Sequence, residues 1–349
     1  MTTDERPRAG DDAHLARPAS AAAPFDPTSA HEQRLTPVER AIDRAAHRLL
    51  ADASDRAIRA GLIEFLVFGA KQAWACVFGA ALLAAIVAAR LWYPGDAALA
   101  PNDALTIAAV LIQVVMVATR LETGRELWVV VLFHLTGTVM EIFKTDVGSW
   151  AYDDGGVLRI AGVPLFSGFM YAAVGSYLVR VHRLFDLGFT RYPRRWLTVI
   201  VAAGIYANFF THHFIVDLRW VLLAAVALLW WPTVMHFRVW RRTYRMPLLL
   251  AFALVALFIW IAENIATWAG AWFYPDQADG WQPVSVSKLV SWFLLMIISV
   301  VLVAWVYPPQ PPAALAAEKA AEATSSDATE AVARSGDSAN TGRSEAESS

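Results

Sequence analysis

Long uninterrupted apolar segments constrain the fold of this chain more than any other feature of its sequence. Between positions 73 and 307, apolar runs of about 17 to 25 residues follow one another, which is the length that an α-helix needs to cross a bilayer. Runs such as "AWACVFGAALLAAIVAA" and "LLLAFALVALFIWIA" lack the polar face of a helix in a soluble bundle. We therefore predict an all-α, polytopic membrane helix bundle with about eight transmembrane helices, at 73–92, 103–119, 127–145, 162–181, 196–214, 218–236, 247–270 and 286–307.

The distribution of Lys and Arg predicts the orientation of these spans. The loops after the second, fourth and sixth spans hold eleven of these residues, against four in the loops between them. Because cytoplasmic loops are rich in Lys and Arg, we expect a multi-pass protein with both termini in the cytoplasm. This topology explains the basic loops, so the expected partner is the lipid bilayer and no nucleic acid is expected.

Three further regions flank the predicted transmembrane domain, which covers 73–307. Residues 1–35 and 308–349 are rich in small, polar and charged residues and are expected to be disordered cytoplasmic tails. Residues 36–72 open with "TPVERAIDRAAHRLL", in which Thr36 and Glu39 have the spacing of a capping box. The apolar residues of that segment keep helical spacing, so we predict an amphipathic helix on the cytoplasmic membrane surface.

One polar and aromatic pattern occurs twice, each time where an apolar span ends. "EIFKTDVGSWAYDD" begins at Glu141 and "ENIATWAGAWFYPD" begins at Glu263, and the two agree at six of fourteen positions. They follow the third and the seventh predicted spans, which run in the same direction. We interpret the pattern as a parallel four-plus-four internal repeat, and transporters built in this way place their sites between the halves.

Polar side chains of several spans are predicted to gather near the extracytoplasmic surface. A carboxylate in hydrocarbon costs a few kcal/mol, so it normally faces the bundle interior and has a partner. The candidate catalytic residues are Glu141 and Glu263, as acid and base, and His212, as a proton shuttle. Candidate substrate-binding residues at the same level are His134, Trp150, Tyr152, Asn208, His213, Asp217, Asn264, Trp272, Tyr274 and Lys288.

These residues also have structural interpretations. The glutamates can be hydrated and paired with Lys144 or Lys288, and the Trp and Tyr residues of the repeat can form an aromatic belt at the membrane interface. The carboxylates, His212 and Asp217 make a mixed nitrogen and oxygen set for a metal. No HExxH or ExxH spacing supports that set, so no metal site is predicted. Nothing resembles a P-loop, a dinucleotide fingerprint or a haem motif, and the cofactor is left unknown.

Several of these stretches together carry a family resemblance. The run "GTVMEIFKTDVGSWAYDD", continued by "GVPLFSGFMYAAVGSYLVRVHRLFDLGFTRYP", "NFFTHHFIVDLRW" and "IWIAENIATWAGAWFYPDQ", resembles a bacterial family of multi-pass membrane proteins known as domain of unknown function 817. The resemblance covers about residues 60–307 and leaves both tails outside. It implies a location in the bacterial inner membrane and no activity, so no catalytic residue is carried over from it.

A second likeness concerns the first copy of the repeated pattern. Glu141, followed by "GSWAY" and then by "GVP", is similar in order to segments of membrane-bound lycopene cyclases and carotenoid hydratases. This likeness implies binding of a long polyene between helices and carboxylates that protonate a carbon–carbon double bond. The acid pair of the cyclases is absent, because "LFS" stands directly after the proline, and Glu141 alone matches the acid of the hydratases.

The favoured hypothesis from the sequence is an intramembrane enzyme that acts on a lipophilic, isoprenoid-like molecule through its paired glutamates. A small-solute transporter is the first alternative, because it would account for the parallel repeat and the charged residues facing outward. A structural or assembly protein is the second, in which the polar residues only lock helices together. A cavity shared by Glu141, His212 and Glu263 would favour the first two hypotheses over the third.

Overall fold

The protein is a bundle of α-helices with a few short strands in the connections. The computed structural model describes residues 35–51, 57–122, 124–239 and 243–312. Its helices are α1 Pro37–Ala51, α2 Ala57–Ala75, α3 Val77–Trp92, α4 Pro101–Ala118, α5 Gly124–Asp146, α6 Phe166–Phe185, α7 Arg195–Thr211, α8 Arg219–Trp230, α9 Leu248–Trp268 and α10 Ser287–Val306. The predicted tails lie outside the described residues, apart from 35 and 308–312.

Helices α4, α5, α9 and α10 are long and apolar enough to cross a membrane. Helices α2 and α3 form a further candidate span that is bent by 66° at Cys76, which makes four or five such helices in the described residues. The structure confirms that the protein is mostly helical and that several of its helices are long and apolar enough to cross a membrane. The predicted first span began at 73, whereas the apolar helix that leads into the bend already begins at Ala57.

The sixth predicted span, 218–236, differs most from the structure. Helix α8 has 12 residues and ends at Trp230, two residues before Pro232. The N–H of Trp231 still bonds the Ala227 carbonyl, but Pro232 has no N–H with which to continue the helical hydrogen bonds, which gives a physical reason for the early end of the helix. The last three residues of the predicted span, 234–236, belong instead to a β-strand, Val234–Arg238.

Five short strands were not predicted from the sequence. Strands β1 (Arg159–Ile160) and β2 (Val163–Pro164) form an antiparallel hairpin between α5 and α6. Strands β3 (Gly188–Thr190), β4 (Val234–Arg238) and β5 (Thr243–Pro247) form an antiparallel sheet in the order β3-β4-β5. This sheet joins the connection after α6 to the connection after α8. We call the end of the bundle that carries it the lower end, and the end at which α5, α7 and α9 finish the upper end.

Buried ion pairs fix α1 against the lower end of the bundle. A guanidinium N–H of Arg183 donates to Glu39 at 2.7 Å, and Arg183 also forms an ion pair with Glu126. The ammonium of Lys71 lies 3.3 Å from Asp43. Charged groups of α1 therefore meet partners on α2 and α6. Leu35, Thr36 and Glu39 at its start are buried, whereas Pro37, Val38 and Arg40 are exposed.

The capping box at the start of α1 is present. The backbone N–H of Thr36 donates to Glu39 Oε2 at 2.7 Å, and the N–H of Glu39 donates to Thr36 Oγ1 at 3.4 Å. Glu39 thus caps its own helix and binds Arg183 with the same carboxylate.

We expect Glu39→Gln to loosen α1, because removal of one partner from a buried ion pair costs about 3–5 kcal/mol. Hydrogen–deuterium exchange of the purified protein should become faster in 37–51 and stay unchanged in α9. Arg44→Gln is the matched control, since Arg44 is exposed on the same helix. Unchanged exchange in α1 of the Glu39 variant would contradict this account of its docking.

Candidate functional site

Glu141 lies near the upper end of α5, is 3% exposed and accepts three hydrogen bonds. Trp150 Nε1 and Tyr152 Oη donate to its Oε2 at 2.8 and 2.7 Å, and Tyr171 Oη of α6 donates to its Oε1 at 2.8 Å. All three donors are neutral. We call this carboxylate with its three donors the Glu141 cage.

Glu263 has an equivalent environment near the upper end of α9, where it is also 3% exposed. The hydroxyl of Tyr274 donates to Glu263 Oε1, and Trp292 Nε1 of α10 donates to Glu263 Oε2 at 2.6 Å. We call this carboxylate with its two donors the Glu263 cage. In the described part of the chain, no ion pair involves either glutamate.

The repeated sequence pattern builds these two cages in the same way. In each copy a tyrosine eleven residues after the glutamate donates to that glutamate. The chain can turn back because Gly148 and Gly270 adopt left-handed conformations, with φ of 69° and 78°. Glycine adopts this conformation at little cost and commonly ends a helix. Matching bonds, from Ser149 N–H to the Lys144 carbonyl and from Ala271 N–H to the Ala266 carbonyl, close both helix ends.

The two copies also pair with each other. Ala151 and Phe273, which occupy the same position in their copies, exchange two backbone N–H···O bonds of 3.0 Å in an antiparallel bridge. The rings of Trp150 and Tyr274 lie 6.2 Å apart in an edge-to-face arrangement. One ring belongs to each cage, so the two cages are in direct contact.

One lysine lies over both cages. Lys288 Nζ lies 4.1 Å from the centroid of the Tyr274 ring and 5.9 Å from that of the Trp150 ring. Burial and the neighbouring Glu263 raise the pKa of Tyr274 above its ordinary value, and burial and Glu141 do the same for Tyr152. Both phenols therefore remain hydrogen-bond donors at neutral pH. The site holds two carboxylates and one ammonium group.

A small cavity of about 40 Å³ lies between α5, α6, α9 and α10, and Tyr171 and Trp292 line it. It therefore touches one donor of each cage. Gly137 belongs to the same lining, and a Cβ at this position would lie 2.3 Å from the Tyr171 ring. A cavity of this size has room for about one water molecule.

His212 and His213 lie beside this site and contact Lys144 rather than the glutamates. Lys144 Nζ is 2.7 Å from His213 Nε2 and 3.5 Å from His212 Nε2. The sequence predicted that Glu141, Glu263 and His212 lie together. The structure brings the two glutamate cages into contact with each other, but His212 is directed toward Lys144 and contacts neither glutamate.

The other predicted site residues have structural partners. Asn208 donates to Asp217 at 3.1 Å, and Asp217 forms an ion pair with Arg219 at 2.5 Å. Burial acts to raise the pKa of Asp217, but the hydrogen bonds from Asn208 and Arg219 lower it below the ordinary value. Asn264 accepts from the N–H of Val284, and its amide donates to the Trp260 carbonyl. No three His, Cys, Asp or Glu side chains of the described residues form a group that could hold a metal ion.

His134 and the aromatic residues of the repeat are also placed by the structure. The His134 ring packs edge-to-face on Phe169 at 4.8 Å. The aromatic-belt interpretation is wrong for Tyr152, Trp272 and Tyr274, which are buried in the bundle. Tyr152 and Tyr274 are buried as donors to the glutamates, because each carboxylate needs donors that water cannot supply there. Trp272 is buried in the apolar core beside them.

Sequence reasoning did not find Tyr171 and Trp292 as members of the cages. Both lie inside apolar helices, where an isolated Tyr or Trp has no spacing signal. One clue was available in the sequence. Tyr171 lies on α6 and Trp292 on α10, and each of these helices follows one copy of the repeated pattern and must run back alongside the helix that carries the glutamate.

Comparisons with known proteins agree with the sequence resemblance. The family described as "Protein of unknown function (DUF817)" matches residues 64–300. The uncharacterised protein YoaT of Bacillus subtilis (strain 168) is 46% identical over 241 residues, which cover 69% of this chain and 90% of that protein. A crystal structure of a cross-linked MvINS trimer covers 54% of this chain and 98% of its own, at 17% identity and a TM-score of 0.38. This score is too low to support an argument about the fold.

The chain belongs to the DUF817 family, which the extent of the family match and the relation to YoaT both show. The family description names no activity. The likeness to carotenoid enzymes remains a prediction.

We expect Tyr152→Phe and Tyr274→Phe each to lower the free energy of unfolding by about 1.5–3 kcal/mol, because each removes a donor to a buried carboxylate. Thermal unfolding in neutral detergent measures the loss. Tyr93→Phe is the control, since its hydroxyl bonds the Leu99 carbonyl at the surface. A loss at one cage and none at the other would show that the cages are not equivalent.

Proposed function

We propose that this protein is a proton-coupled membrane transporter of a small solute, with Glu141 and Glu263 as its proton-binding residues. The supporting observation is the pair of touching cages, in which two buried carboxylates are held by neutral donors with one lysine nearby. Burial of a charge without a compensating charge is costly in the membrane. Binding and release of a proton or cation would relieve that cost, and this exchange can be coupled to the movement of a solute.

The eight-span, four-plus-four arrangement is part of this proposal. Helix contacts within the first half have counterparts in the second: α3–α4 corresponds to α7–α8, α5–α6 to α9–α10, and α3–α6 to α7–α10. The contacts between halves also correspond, since α9 packs on α3 and α5 packs on α7. Such a duplication would place the cages at the interface of the halves, where transporters of this kind bind their solutes.

Orientation in the bacterial inner membrane follows from the basic residues. The lower end, with the three-stranded sheet and the Arg-rich connections, would face the cytoplasm, together with both termini. The cages and Lys288 would then lie near the extracytoplasmic surface. A solute would reach them from outside.

An enzyme for a lipophilic substrate is the second candidate. One observation favours it, an open groove of about 620 Å³ beside the upper end of α5 with a largely apolar lining of Val139, Ile142, Phe143, Thr145, Asp146, Ala161 and Phe210. Neither glutamate lines this groove, and the cavity that touches the cages has room for about one water molecule rather than a polyene. Transport is the better supported function, because proton exchange at the two touching cages does not require an organic substrate to enter that cavity. A purely structural role would use the same cages to lock helices without any proton exchange.

Proton movement in proteoliposomes tests the proposal. Vesicles with a trapped pH-sensitive dye are exposed to a panel of small solutes under an imposed pH gradient. The wild-type protein should admit protons faster with at least one solute than without it, and Glu141→Gln and Glu263→Gln should each reduce this rate at least ~10-fold, as loss of an essential proton-transfer group does.

Asp146→Asn is the matched control, because it removes one negative charge from the exposed end of the same helix as Glu141. Its proton entry should equal that of the wild type. Equal rates in the wild type and both glutamine variants, or wild-type rates no faster than those of protein-free vesicles for every solute, would refute proton-coupled transport.

A further inference from the structure

Lys144 is a buried cation beside the cages. Its ammonium contacts uncharged side chains in the described part of the chain. It is 3% exposed, and in the described part of the chain no ion pair involves it. Its ammonium contacts His213 and His212 and lies 4.2 Å from the centroid of the Phe209 ring. A buried charge normally has an opposite charge as partner. Lys144 therefore has the capacity to bind an anion.

Hydrogen bonding indicates the tautomer of His212 in this group. His212 Nδ1 lies 2.9 Å from the Asn208 carbonyl, which can only accept, so Nδ1 carries the proton. Its Nε2 is then an acceptor directed at Lys144. The ammonium is held by imidazole lone pairs, which stabilise its charge without neutralising it.

The other cations nearby have compensating charges. Arg219 is paired with Asp217 at 2.5 Å, and Lys288 lies within electrostatic range of Glu263 and Asp276. Lys288, Arg219 and, more weakly, Asp217 are within electrostatic range of Lys144, so two cations outweigh one carboxylate and the potential around Lys144 is net positive.

The group is reachable from the upper surface. His213 is exposed, and its Nε2 lies 3.4 Å from the Ser149 hydroxyl as well as 2.7 Å from the Lys144 ammonium. The Lys144 ammonium and the Ser149 hydroxyl therefore meet at the exposed imidazole of His213. The ammonium and the hydroxyl are donors for carboxylate and phosphate oxygens, and the imidazole becomes a further donor when its Nε2 takes up a proton.

We propose that Lys144, His213 and Ser149 form a binding site for the oxyanion group, carboxylate or phosphate, of a small solute at the upper end of the bundle. This inference rests on the proposed function and names the solute class, an anion that is carried together with protons. Lys144 follows Glu141 by three residues on the same helix, so the anion site and the proton site are about one helical turn apart.

Binding at this site should depend on pH. Burial, Lys144, His212 and Lys288 lower the pKa of His213 below its ordinary value, so its imidazole is neutral at pH 7. A neutral His213 can donate to an oxyanion only after it takes up a proton or changes tautomer. A bound anion would favour the protonated form, and binding should therefore be tighter at pH 6 than at pH 8.

Titration with inorganic phosphate tests the site. Purified protein in neutral detergent is titrated at constant ionic strength, and binding is measured by calorimetry for the wild type, His213→Ala, Lys144→Met and Arg90→Gln. We expect at least 10-fold weaker binding in the first two variants and wild-type binding in Arg90→Gln, which removes an exposed cation from the end of α3. His213 is exposed, so its variant should fold even if Lys144→Met does not.

A second arm identifies the source of the oxyanion. Nanodiscs of phosphatidylglycerol are compared with nanodiscs of phosphatidylcholine: loss of phosphate binding in the anionic lipid alone would assign the site to a lipid headgroup, and equal binding would assign it to a free solute. Wild-type affinity in His213→Ala, or an equal loss in Arg90→Gln, would overturn the proposal.

The anion site and the proposed transport function can be tested separately. Glu141→Gln should keep phosphate binding. A failure of proton transport with intact anion binding would therefore refute the proposed function and leave this site in place.

Discussion

The hydrogen bonds between each buried glutamate and the aromatic side chains around it are the interaction on which the upper half of the structure depends. A carboxylate at this position loses its water, so its oxygens require other donors. Tyr152 and Tyr274 can supply them only if the chain reverses after α5 and α9, which Gly148 and Gly270 permit. These bonds therefore determine the helix ends, the burial of the aromatic residues and the meeting of the two reversed segments.

The contact between the two copies links structure to function. Because corresponding residues of the copies exchange backbone hydrogen bonds, the glutamate cages are brought side by side with Lys288 over both. Two carboxylates with one ammonium make an arrangement whose charge changes when a proton is gained or lost. Lys144 adds a second positive centre one helical turn away, so a proton site and an anion site would share one end of the bundle.

Much of this arrangement could be predicted from the sequence. The apolar runs indicated the helices, and the repeated pattern identified Glu141 and Glu263 and brought both to one end. The bend at Cys76, the early end of α8 and the three-stranded sheet depend on tertiary contacts and on local backbone geometry that hydropathy does not register. The partner of His212 was missed for a similar reason: the path of a loop after a helix end decides whether an imidazole reaches a carboxylate or a lysine.

The most direct test of the central claim is a pH-titrated infrared difference spectrum of the purified protein, with carboxyl bands assigned through Glu141→Gln and Glu263→Gln. We expect one protonated-carboxyl band from each glutamate. Glu141→Gln should remove one band and shift the other, and Glu263→Gln should do the reverse, because the cages touch. Carboxyl bands that are identical in the wild type and both variants, or that titrate without any mutual effect, would contradict a coupled pair of buried carboxylates.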